Sequence, residues 1–145
     1  MAKIRIGEII DRVLAYNDRA DADLLRSAYI YSGVVHRGQM RQSGEPYLIH
    51  PLAVAEILTQ LRMDEVTIAA GLLHDTVEDT HATIEDIAEQ CGEDVARLVD
   101  GVTKISAINF KTKEERQAEN FRKLVLAMSQ DIRVLMIKLA DRLHN

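Results

Sequence analysis

Apolar residues return every three or four positions along this chain and almost never alternate, and only two prolines and seven glycines interrupt its 145 residues. That spacing gives an α-helix one dry face and gives a β-strand none. The chain is therefore expected to be all-α, a helical bundle forming one domain over residues 1–145. Helices are expected from Ile6 to Tyr16, Asp21 to Arg37, Pro51 to Leu61 and Asp64 to His74. Thr83 with Asp86 three residues on reads as a capping box for a short helix ending at Cys91-Gly92. Further helices are expected from Glu93 to Val102, Glu114 to Met128, and Asp131 to the end. The stretch GQMRQSGEPYLIHP (38–51) is irregular by composition, and KISAINFKTK (104–113) has no helical period and reads as a mobile loop.

Two of these helices carry polar groups where a core should be dry. VTIAAGLL (66–73) is apolar all round, hence buried, and it delivers His74 and Asp75 at its end. In the last helix Ile132, Leu135, Met136, Leu139, Ala140 and Leu143 form one stripe, while Val134 and Ile137 form a second. A helix with two apolar sides is expected to be central. Asp141 continues the second stripe, which places a carboxylate in the interior, where it must be protonated, paired or metal-bound.

His50, His74, Asp75 and Asp141 are the candidates that follow. Two imidazoles and two carboxylates suit one divalent Mn, Fe or Zn ion better than Ca or Mg, which prefer oxygen throughout. Such an ion lowers the pKa of water and stabilises charge on a phosphoryl oxygen. Glu78 and Asp79, about one turn further on, are placed to orient or deprotonate that water. Each residue also has a plainer reading. His50 can cap the helix at Pro51, Asp141 can pair with Lys138 or Arg142, and Glu78-Asp79 can be a solvated loop. Arg37 reads as a salt-bridge or solvated cation, His36 as a core or capping residue, and His81 and His144 as surface or structural.

The bulk numbers exclude other classes. Net charge is −5 with no basic tract, so no nucleic acid is expected as a direct partner. No run of about 18 apolar residues is present, so no membrane partner is expected. The start, MAKIRIGEIIDR, lacks the long apolar core of a secretory signal. One cysteine, Cys91, suits a reducing, cytoplasmic setting.

Four motifs in order, HRGQMRQSGEPYLIHPLAVA (36–55), GLLHDTVEDT (71–80), LVDGVTKI (98–105) and IKLADRLHN (137–145), resemble the HD-type hydrolase domain of the RelA/SpoT homologue family. The resemblance covers nearly the whole chain. It implies an HD-domain helical bundle that hydrolyses the 3′-diphosphate of guanosine tetra- and pentaphosphate to GDP or GTP and pyrophosphate. It implies Mn(II) held by His50, His74, Asp75 and Asp141, and a catalytic pair Glu78 and Asp79, whose HDxxED motif marks hydrolase-competent members. It also implies substrate contacts from Arg41, Gln42 and Ser43 in the SGEPY loop and from Asn145, with the guanine nucleotide alarmone as ligand. Gln42 stands where many relatives carry Lys, which bears on affinity or phosphate preference. The rival readings are an HD phosphohydrolase of another nucleotide and a non-catalytic alarmone-sensing module. Intact HD and ED weigh against the second. LADRLHN ends inside a helix without a glycine cap. Because the family continues with further helices and often a synthetase domain, the chain reads as the N-terminal piece of a longer bifunctional protein. Such a piece is expected to bind metal but to hydrolyse poorly.

Overall fold

A computed structural model describes residues 4–37, 48–106, 117–118, 121–122 and 131–144. Among the described residues there are helices and no strands. The elements are α1 (Ile6–Tyr16), α2 (Ala22–Val35), α3 (Ile49–Gln60), α4 (Glu65–Leu73), α5 (Thr76–Asp79), α6 (Ile84–Cys91), α7 (Glu93–Ser106) and α8 (Ile132–His144).

Local chemistry sets most of the boundaries. The Asp21 side chain accepts from the Leu24 N–H and caps α2, as Asp64 does for α4 from Thr67. Thr83 and Asp86 form the reciprocal capping box of α6, and Gly92, at φ 95°, ends that helix in a backbone conformation that side chains disfavour. Several boundaries differ from the sequence expectation: α2 ends at Val35 rather than Arg37, α5 is a short helix the pattern did not give, and two further shifts have a local cause. Helix α3 opens at Ile49, so Pro51 is its third residue; the first-turn N–H groups have no partner within the helix, and proline loses nothing there. Helix α7 runs on to Ser106 because neither glycine nor proline stops it after Val102, and Lys104 pairs with Asp100 at 3.0 Å. The expected helix 114–128 and the remainder of the expected loop 107–113 lie outside the described residues, apart from 117–118 and 121–122, which are helical.

Helix α4 is the axis of the bundle. Every residue from Thr67 to Leu73 is buried, and the helix packs on α2, α3, α7 and α8. Gly71 permits the α3 contact: a Cβ there would meet Leu58 Cδ1 at 2.6 Å. Helix α1 covers α2 and α3 through Ile9, Ile10 and Val13, and Tyr16 donates to the Met63 carbonyl at 2.5 Å.

The last helix corrects the sequence reading. Val134, Ile137 and Ala140 are buried, but Ile132, Leu139 and Leu143 are exposed. One face of α8 docks on α3, α4 and α7, so the helix is peripheral rather than central. The docked face is the Val134–Ile137 stripe, and it carries Asp141 inward as expected. The docking is fixed by Gly101 of α7 against Val134, and by Arg133, which reaches Asp64 at 3.0 Å and Asp131 at 2.7 Å.

Candidate metal centre

Three helix ends meet at one point. His50 lies in the first turn of α3, His74 caps the C-terminus of α4, and Asp141 projects from the docked face of α8. Their donor atoms all lie within 4.8 Å of one another. His50 Nε2 is 2.7 Å from Asp141 Oδ1, and His74 Nε2 is 3.3 Å from the same oxygen. Both imidazoles are 4% exposed, so this is an interior site.

The protons can be assigned from the partners. His74 Nδ1 lies 2.7 Å from the Gly71 carbonyl, which only accepts, so Nδ1 carries a hydrogen. A neutral His74 then aims the Nε2 lone pair at a carboxylate oxygen. Two lone pairs at that distance repel unless a cation stands between them, either a proton or a metal ion. The titration behaviour agrees. Burial opposes the charged form of His74, yet the bond to Asp141, the charges of Asp75 and Asp141, and the Gly71 carbonyl together raise it above its ordinary value. Burial would raise Asp141, but the hydrogen bonds and charges of His50 and His74 hold it far below the usual carboxylate range.

The donors fit a first-row divalent ion. With bonds of about 2.1 Å, ligand atoms around one such ion stand about 3–4 Å apart; His74 Nε2 and Asp141 Oδ1 have that spacing at 3.3 Å, while His50 Nε2, at the hydrogen-bond distance of 2.7 Å from the same oxygen, would move outward slightly on ligation. Asp75 is less tightly drawn in than the other three. Its Oδ2 is 3.7 Å from His74 Nε2, within that spacing, while its Oδ1 is 3.8 Å from Nε2 of the buried His36. Lys138 sits 3.6 Å from the second oxygen of Asp141, which makes that part of the plainer reading true alongside the imidazole contacts.

Glu78 and Asp79 stand on α5, just beyond Asp75, and both are exposed. With Tyr31, Val35 and His81 they line an open cleft of about 470 Å³. Partial burial raises the Glu78 carboxyl above its ordinary value; Lys138 and His74 oppose this, and Asp79 and Asp75 reinforce it. Arg41, Gln42, Ser43 and Asn145 lie outside the described residues.

One site residue was missed in the sequence. The structure sets His144 edge to edge with His50, with ring centroids 4.8 Å apart, planes at 29° and the two Nδ1 atoms 2.5 Å apart between them. The signal was present: His144 is three residues after Asp141 and seven after Ile137, on the docked face of α8.

Known proteins share this arrangement of sequence and fold. A family model, described as HD domain, matches residues 28–145. A GTP pyrophosphokinase of Myxococcus xanthus is 57% identical over 136 residues, which are 92% of this chain and 18% of that protein. The bifunctional (p)ppGpp synthase/hydrolase SpoT of Escherichia coli K12 is 54% identical over 121 residues, 83% of this chain and 17% of that protein. A solved structure, reported under the words "A metazoan ortholog of SpoT hydrolyzes ppGpp and plays a role in starvation responses", matches with a TM-score of 0.63 at 32% identity, covering 85% of this chain and 67% of that one. The chain thus spans under a fifth of the length of these curated relatives. No helix among the described residues is long and apolar enough to cross a membrane.

Proposed function

This chain belongs to the HD domain family, with a GTP pyrophosphokinase and SpoT among its relatives, and from that premise we propose that it is the hydrolase part of a RelA/SpoT-type protein. In this reading it works in the cytoplasm on guanosine tetra- and pentaphosphate and releases pyrophosphate and GDP or GTP, using one Mn(II) ion. A synthetase or regulatory region in the full-length protein would be its covalent partner. The substrate class is supported by relatives named (p)ppGpp synthase/hydrolase and guanosine-3′,5′-bis(diphosphate) 3′-pyrophosphohydrolase. The observation that carries the reading is the convergence of two imidazole Nε2 atoms on one buried carboxylate oxygen, at 2.7 and 3.3 Å.

His50, His74 and Asp141 would hold the ion, and Asp75 would close on it. When bound, a divalent ion lowers the pKa of water and offsets charge on the phosphoryl oxygens. The chain's own groups do the rest. Water attacks the phosphorus borne by the ribose 3′ oxygen, the P–O3′ bond breaks, and the 3′ oxygen leaves as a hydroxyl. Glu78, whose carboxyl partial burial raises, takes a proton from the attacking water and passes it to the departing 3′ oxygen, and Asp79 orients the water. The cleft beside them is of the size that small-ligand sites have, about 300–1,000 Å³. Arg41, Gln42, Ser43 and Asn145 would bind the nucleotide, with Gln42 giving a weaker phosphate contact than a lysine.

The test is pyrophosphate release from guanosine tetraphosphate, measured with Mn(II) and with a chelator, for the parent chain and for Asp75→Ala. Release by the parent should require Mn(II), and Asp75→Ala should abolish it. Release that survives the chelator would overturn the reading.

A further inference from the structure

The two imidazoles of the centre are oriented in different ways. His74 gives its Nδ1 hydrogen to a main-chain carbonyl of its own helix, Gly71, at 2.7 Å. His50 has its Nδ1 2.5 Å from Nδ1 of His144, a side chain 94 positions away on α8. We propose that His144 is a positioning residue for the metal centre, whose Nδ1 holds His50 in the ring orientation and tautomer that turn its Nε2 lone pair toward the ion. This inference rests on the metal reading above.

With an ion in place of a hydrogen between His50 Nε2 and Asp141 Oδ1, one arrangement is consistent. Two facing ring nitrogens at 2.5 Å share a single hydrogen. If His50 Nε2 is to donate to a cation, its Nδ1 must carry that hydrogen, because a neutral imidazole has only one. His144 Nδ1 is then the acceptor, with its own hydrogen on Nε2. His144 is not itself placed as a ligand. It meets His50 on the Nδ1 side of the ring, whereas Asp141 lies against Nε2 at 2.7 Å. The rings meet edge to edge with their planes only 29° apart, so the contact lies close to the plane of His50, which is 4% exposed.

The docking of α8 thereby does two things at once. It brings in the ligand Asp141 and, three residues later on the same face, the anchor of a ligand that belongs to α3. Groups that orient a metal-binding histidine through its other nitrogen are typically worth about 10–100-fold in metal affinity.

The experiment is Mn(II) titration of the chain followed by electron paramagnetic resonance, with folding checked by circular dichroism. Two variants separate bonding from packing. His144→Phe keeps a ring against His50 and has no nitrogen; it should bind Mn(II) about 10–100-fold more weakly. His144→Asn loses the ring but places an accepting Oδ1 where Nδ1 was, and it should recover most of the parent affinity. Phe matching the parent, or Asn as weak as Phe, overturns the proposal. A parent chain that binds no Mn(II) overturns the metal reading itself, and this inference with it.

Discussion

Gly71→Ala probes both the packing and the site, because Gly71 lies where α3 and α4 approach most closely. A Cβ at Gly71 would stand 2.6 Å from Leu58 Cδ1 and 3.5 Å from Val54 Cγ1. Non-bonded carbons settle about 3.5–4.0 Å apart, so the Leu58 methyl must retreat by about 1 Å. Leu58 is fully buried, with no open side to turn to. Overpacking of this kind costs about 1–3 kcal/mol. The gain in helix propensity from glycine to alanine returns about 1 kcal/mol. The net effect should be a loss of up to about 2 kcal/mol, read from urea midpoints at constant m. Leu58→Ala itself costs about 2–5 kcal/mol but removes the clashing methyl. In that background Gly71→Ala should turn stabilising by about 1 kcal/mol. The substitution also pushes apart the helices that carry His50 and His74, so Mn(II) affinity should fall together with stability. A Gly71→Ala chain that gains the same stability in both backgrounds would refute the steric argument and show that the contact has slack.

Arg62, just past the end of α3, has φ 55° in the left-handed region, where a side chain costs about 1–2 kcal/mol. Arg62→Gly should therefore raise the melting temperature, and an unchanged or lowered value would remove the strain. Hydrogen bonds from Arg133, against partial burial, hold the Asp131 carboxyl below its ordinary value. Its contribution is complete above the unfolded carboxylate pKa of about 3.9 and is lost as pH falls through the lower folded value. Asp131→Asn should accordingly flatten the acid limb of stability against pH, and an unaltered limb would assign that limb to other groups.

What could be read from the sequence divides along a physical line. Helix α1 matches its expected bounds, and Thr83 caps α6 where its local pattern says, because a cap is an interaction across three residues; Asp21 and Asp64, expected as first helical residues, are the N-caps just before α2 and α4. The burial of VTIAAGLL was legible because a segment apolar on all sides has nowhere else to go. The last helix offered two apolar stripes, and only tertiary docking decides which one finds a partner. The pairing of Arg133 with Asp64, 69 positions apart, left no trace in local spacing. His144 was on the right face, but nothing in its own helix says that His50 would lie opposite. Asp75 was a candidate because the buried helix delivers it with His74 at its end, and the turn there leaves its Oδ2 3.7 Å from His74 Nε2, further than Asp141 Oδ1 at 3.3 Å.

A network of hydrogen bonds could in principle account for the same cluster, and the count of hydrogens argues against it. A purely structural network pairs every donor with an acceptor. Here the ring hydrogen of neutral His74 is already given to Gly71, so its Nε2 faces Asp141 Oδ1 at 3.3 Å with nothing to give. The chain can supply the missing positive charge only by protonating His74, which burial opposes and the carboxylates of Asp141 and Asp75 favour. Well-packed apolar residues of similar volume would serve stability as well or better than such a buried charged pair. A single divalent ion satisfies both imidazoles and the carboxylate together, in the space where the metal-free chain must keep a proton. The arrangement therefore makes physical sense as a binding site whose stability cost is offset when the ion is present, and little sense as a device for holding three helices together.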